Sequence, residues 1–76
     1  MKEEVFEMYL KPNVTKIINL RTKKGLSKHQ LSLQAGLGNQ ALSRIERGET
    51  KKIHPLRAKA IAEVLDCDVK DIFKEN

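Results

Sequence analysis

Capping residues and glycine stops recur along this chain and divide it into short helical pieces, which constrains its fold more than any other feature. Asn13 is placed to cap a helix over about Val14–Lys24, with Val14, Ile17, Ile18 and Arg21 on one face and Gly25 as the stop. Ser27-Lys28-His29-Gln30 reads as a capping box, in which the serine and glutamine side chains each satisfy an orphaned backbone amide. The short helix behind it turns Leu31 and Ala35 inward and stops at Gly36. After the turn Gly36-Leu37-Gly38, a third helix is expected over about Asn39–Arg47, ending at Gly48. Its inner face is Ala41, Leu42 and Ile45; its outer face is Asn39, Gln40, Ser43, Arg44 and Arg47. Residues 49–54 form a basic loop. Pro55 suits the first position of a fourth helix reaching about Leu65 and burying Leu56, Ala60, Ile61, Val64 and Leu65. Asp68 caps a last short helix holding Val69, Ile72 and Phe73. No sustained alternation and no Asn-Gly or Asp-Gly turn marks a hairpin. The expectation is an all-α fold of five helices and no sheet.

A chain of 76 residues allows one small domain with no room for a deep pocket. With no Trp, one Tyr and two Phe, its core must come from Leu, Ile, Val and Ala. The single cysteine, Cys67, has no disulfide partner and reads as a packing residue. No apolar run is long enough to span a membrane. The first residues are acidic where a secretory signal is basic and then apolar, so a cytoplasmic protein is expected. His29 and His54 stand apart from acidic or thiol partners, and Asp66, Asp68 and Asp71 lack the glycine of a calcium loop. No metal or cofactor is expected. Neither a nucleophile–base pair nor a phosphate loop is present, so an enzyme is not expected.

The charge is unevenly spread. Residues 11–59 hold eight Lys and four Arg against only Glu46 and Glu49, a surplus of ten positive charges. Residues 1–10 carry a net −2 and residues 60–76 a net −3. A basic middle between acidic ends is an electrostatic footprint for a polyanion, although lopsided solvated charge also occurs in small proteins without one.

Two short helices joined by a tight turn, with polar side chains on the second, make a helix-turn-helix. A helix of about 10–12 Å diameter fits a major groove about 12 Å wide, where each base pair shows a distinct set of donors and acceptors. Asn39 and Gln40 suit adenine, Arg44 suits guanine, and Ser43 is adaptable. With Arg47 they share one helical face.

The stretch Gly25-Leu26-Ser27-Lys28-His29-Gln30-Leu31-Ser32-Leu33-Gln34-Ala35-Gly36-Leu37, followed by Ala41-Leu42-Ser43-Arg44-Ile45-Glu46-Arg47-Gly48, closely resembles the Cro and phage-repressor type of helix-turn-helix regulator, the XRE family. Ile61-Ala62-Glu63-Val64-Leu65 and Val69-Lys70-Asp71-Ile72-Phe73 are similar to that family's last two helices. The resemblance covers about residues 14–74. It implies a five-helix, lambda-repressor-like DNA-binding domain over 14–74, with the helix-turn-helix at helices 2 and 3 and residues 1–13 as an N-terminal arm. By position it implies base reading by Asn39, Gln40, Ser43 and Arg44, and phosphate contact by Lys28, Lys51 and Lys52. Arg21 and Glu46 take positions that often form an ion pair in such proteins. Lys24, Arg47, Lys23, Arg57 and Lys59 are further candidates for the DNA backbone. The expected function is sequence-specific binding of double-stranded DNA by a transcriptional repressor, as a homodimer on a pseudo-palindrome with half-sites about 34–36 Å apart.

Three departures stand out. Gly38 takes the place of a capping Ser or Thr, Asp66 the place of a glycine, and the loop from Glu49 to His54 is a residue longer than typical. The arm itself lies outside the resemblance. Val5, Phe6, Tyr9 and Leu10 form an apolar group at helical spacing opposite Glu3, Glu4 and Glu7, suited to packing on the first helix or on a second subunit. An arm of this kind also leaves open a rival reading, an antitoxin or antirepressor acting mainly through a protein partner.

Overall fold

The computed structural model describes residues 9–75, in which five helices follow in the expected order. They are α1 (Val14–Lys23), α2 (Lys28–Gln34), α3 (Ala41–Glu46), α4 (Pro55–Val64) and α5 (Val69–Ile72). The local signals act as anticipated. The Asn13 side chain accepts from the Lys16 amide at 3.2 Å, and the Ser27–Gln30 box closes with bonds of 2.8 and 3.0 Å. Gly36 ends the second helix at φ +75°, a left-handed geometry that a side chain would strain. Asp66 adopts φ +58° after α4, one of the few non-glycine residues that tolerate this conformation.

The core runs through all five helices: Ile17, Leu31, Leu42, Ile45, Ala58, Ile61, Ala62, Leu65 and Ile72 are buried, together with Ile53 and Phe73. Leu56 is not among them. It is 73% exposed, against expectation. The buried face of α4 is set by Ala58, Ile61, Ala62 and Leu65, and at 100° per residue Leu56 lies about 200° away from Ala58.

The chain also has a small sheet that the sequence reading missed. Strand β1 (Leu10–Pro12) pairs antiparallel with β2 (Phe73–Glu75), with Leu10 opposite Glu75, Lys11 opposite Lys74 and Pro12 opposite Phe73. Phe73, expected in the last helix, therefore leaves it and continues as a strand. On its other side Leu10 exchanges both backbone bonds with Ile53, at 2.9 and 2.8 Å. Pro12, two residues on, faces that same outer side, where its missing N–H interrupts no bond to β2. Of the predicted apolar arm, Tyr9 and Leu10 are half-buried; Val5 and Phe6 lie outside the described residues.

Candidate nucleic-acid interface

Helices α2 and α3 are held as one unit by a buried serine. Ser32 is fully inaccessible; its hydroxyl donates to the Lys28 carbonyl at 2.8 Å and accepts from the Leu42 amide at 3.1 Å. Leu42 lies in the first turn of α3, where backbone amides lack helical partners. Gln40, the residue before α3, provides no side-chain cap, and Gly38 has no side chain to do so. The cap comes instead from the neighbouring helix. A short polar residue directly after the buried Leu31 was the available signal for this, and sequence reasoning overlooked it.

A second tie reaches α3 from α1. The Arg21 guanidinium grips the Glu46 carboxylate through Nε at 2.9 Å and Nη2 at 3.1 Å, and donates from Nη1 to the Leu26 carbonyl at 2.9 Å. Their side chains are 15% and 7% exposed, so the planar fork is largely withdrawn from water. One side chain thus fixes the far end of α3 and the turn leading into α2.

Helix α3 begins at Ala41, later than the predicted Asn39, so Asn39 and Gln40 sit in the turn before it. The Ala41 amide reaches back to the Gly38 carbonyl at 3.0 Å, a tighter turn than an α-helix makes. Asn39, Gln40 and Arg44 are exposed and Ser43 is half-buried. The Arg44 carbonyl accepts from the amides of Glu49 and Thr50 at 2.9 and 3.2 Å, which pins the start of the basic loop against α3. Lys28, Lys51 and Lys52 are exposed, Lys28 in the first turn of α2.

Two other candidate cations are engaged within the chain. Lys24 Nζ meets Asp66 Oδ2 at 2.8 Å, and Arg47 holds Glu49 by two bonds of 3.0 and 3.2 Å. These pairs lower the Asp66 and Glu49 carboxyls below their ordinary range, chiefly through the hydrogen bonds, and raise Arg47 in turn. Burial first, and then the Asp71, Asp68 and Asp66 carboxylates, push the Cys67 thiol above its ordinary range.

A groove of about 740 Å³ opens beside the N-terminal end of α3. Its floor includes Leu37, Ile45, Ile53 and Ile61, and its rim Asn39, Gln40, Arg44, Lys52, His54 and Arg57, with Tyr9 at one edge. His54 caps α4, its Nδ1 accepting from the Leu56 amide at 3.1 Å. Among the described residues no group of three His, Cys, Asp or Glu side chains is arranged to hold a metal ion.

A rigid pair of short helices that turns amide and guanidinium groups outward defines a helix-turn-helix protein. A helix-turn-helix family profile matches residues 17–72, and the chain belongs to this family, in its XRE type of DNA-binding regulator. It is similar to the structure of SinR, the master regulator for biofilm formation, in complex with DNA. The identity is 30% and the TM-score 0.70, covering 75% of this chain and 90% of that one. A complex of SinR with SinI is similar at 29% identity and TM-score 0.72, over 78% of this chain and 57% of that one. The restriction-modification controller protein C.AhdI from Aeromonas hydrophila is 28% identical with TM-score 0.69, over 76% and 86%. No curated protein sequence matches the chain significantly.

Proposed function

We propose that this chain is a sequence-specific transcriptional repressor that binds double-stranded DNA as a cytoplasmic homodimer on a pseudo-palindromic operator. Helix α3 enters the major groove, where Asn39, Gln40, Ser43 and Arg44 test base edges. Lys28, Lys51 and Lys52 hold phosphates, joined by Lys24 and Arg47 once these release their carboxylate partners. Phosphate contacts set the register and base contacts select the sequence. The observation that carries this reading is the exposed Arg44 beside Asn39 and Gln40, on a helix anchored from behind by Ser32 and Arg21. A reading group needs such a rigid mount. The similarity to SinR, solved in complex with DNA, supports DNA as the partner.

Selection from a random duplex pool identifies the site. On it, Arg44→Ala costs about 1–3 kcal/mol and relaxes base preference, whereas Lys28→Ala weakens all sequences alike. Retention of full selectivity by Arg44→Ala removes the base-reading assignment. A second reading, an antitoxin or antirepressor that works through a protein partner contacting the N-terminal arm, is favoured by one observation: a similar structure is a complex of SinR with another protein, SinI. An equimolar partner that co-purifies and leaves when residues 1–8 are removed distinguishes it.

A further inference from the structure

The small sheet carries lysines that the helix-turn-helix itself leaves unused. On one side of β1, Leu10 exchanges both backbone bonds with Ile53; on the other, Lys11 stands opposite Lys74 of β2. Continuing the Leu10–Ile53 register by one residue each way sets Tyr9 opposite His54 and Lys11 opposite Lys52. The first of these pairs is seen directly: the Tyr9 and His54 rings meet edge-on with centroids 6.0 Å apart. Lys52, Lys11 and Lys74 therefore form one row across three adjoining segments of backbone. Opposed residues lie about 4.5–5.5 Å apart at Cα, so the row is about 10 Å long.

Alternation fixes where the row points. Ile53 and Phe73 are buried and Leu10 is half-buried on the inner face, and the residues between them face the other way. Lys52, Lys11 and Lys74 are all exposed. Glu75 stands opposite Leu10, which assigns its carboxylate to the inner face and not to the lysines. Tyr9 shares the outer face with Lys11, and Tyr9, Lys52 and His54 line the groove beside α3. The row thus starts at the rim of that groove and leads away from it.

Like charges set opposite one another across a sheet repel. None of the three lysines pairs with a carboxylate of the described residues. A line of anionic groups relieves that repulsion, and an ammonium on a flexible stem suits phosphate. Duplex DNA offers a phosphate about every 3.4 Å of axis on each strand, dense enough to meet such a row.

We propose that Lys11 and Lys74 extend the DNA interface beyond the helix-turn-helix. With Lys52 they form a phosphate rail on the sheet, which grips the backbone flanking the bases that α3 reads. This rests on the reading of α3 and its groove as the DNA-binding side.

The test follows affinity for the selected duplex against salt, in the full chain. Lys11→Gln/Lys74→Gln should make the log–log slope shallower by about 1.8 per bound protomer. Its loss of affinity should then be about tenfold greater at about 50 mM than at about 200 mM salt, with base preference unchanged. Lys11→Arg/Lys74→Arg keeps the charge and should keep the slope. Lys16→Gln/Lys70→Gln removes the same charge from α1 and α5, which do not line the groove, and should move the slope by less than about 0.5. Without DNA, the rail variant should unfold at the parent's urea midpoint or above it, since a like-charge pair is gone. An unchanged slope, or an equal change in the control, overturns the proposal. Self-association of the rail variant at unchanged slope also overturns it, and leaves the lysines as guards of the open β2 edge. Should Arg44→Ala still relax base preference in those cases, the interface reading stands and only the rail falls. A parent chain that binds no duplex overturns both.

Discussion

Replacing Ser32 with alanine removes one hydroxyl and leaves one buried amide without a partner. The Lys28 carbonyl keeps its helical bond within α2, so it is not orphaned. The Leu42 amide does lose its acceptor. Ser32 is 0% exposed, so water has no access to take over. An unsatisfied buried amide costs about 1–3 kcal/mol, and the oxygen-sized void adds little. A domain of this length is stable by about 4–11 kcal/mol in all, so a loss near 2 kcal/mol is a large share. Urea unfolding followed by circular dichroism suits a chain without tryptophan. With a slope of about 1 kcal/mol per molar, the midpoint should fall by about 2 M at unchanged slope. Hydrogen exchange should quicken most at the Leu42 amide, and duplex affinity should fall because α3 loses its rear anchor. A stability change under 0.5 kcal/mol, by order of magnitude within the range of an ordinary surface substitution, together with unaltered exchange at Leu42, would refute the cross-helix cap.

Glu46→Ala strands the Arg21 guanidinium in a largely dry site and should cost about 3 kcal/mol, while Arg21→Met/Glu46→Leu should cost much less than the two single changes together, as a double-mutant cycle in urea will show. Gly38→Ser adds a capping hydroxyl where a Cβ meets nothing within 4 Å. A gain of a few tenths of a kcal/mol and about 2 °C in Tm follows. The Glu49 and Asp66 carboxyls are lowered in the folded state by Arg47 and Lys24. Their stabilisation is therefore complete above the ordinary carboxylate range and is lost as pH falls through the lower folded values. Both pairs are exposed, so the effect is small and fades with salt. Urea midpoints measured from pH 5 down to pH 3 should fall less steeply for Asp66→Asn than for the parent.

The helices were legible because their signals are local. Asn13, the Ser27–Gln30 box, Gly36 and Pro55 act within a turn of where they stand, and Ile17, Leu31, Leu42, Ile45 and Ile61 mark buried faces by spacing alone. The cationic middle and the exposed side of Arg44 were legible for the same reason. The Arg21–Glu46 pair was reached through family resemblance, since nothing local to either residue names the other across 25 positions. The tertiary structure alone decided four things. It paired β1 with β2 although each strand is three residues long, too short for alternation to show. It drew Lys24 into an ion pair with Asp66, exposed Leu56, and made Ser32 the cap of a helix other than its own. In each case the outcome depends on which backbone group or side chain arrives from a distant part of the chain, and distance in sequence carries no record of that meeting. Sequence determines where helices start, stop and turn their apolar faces; packing determines which partners those faces and their polar neighbours find.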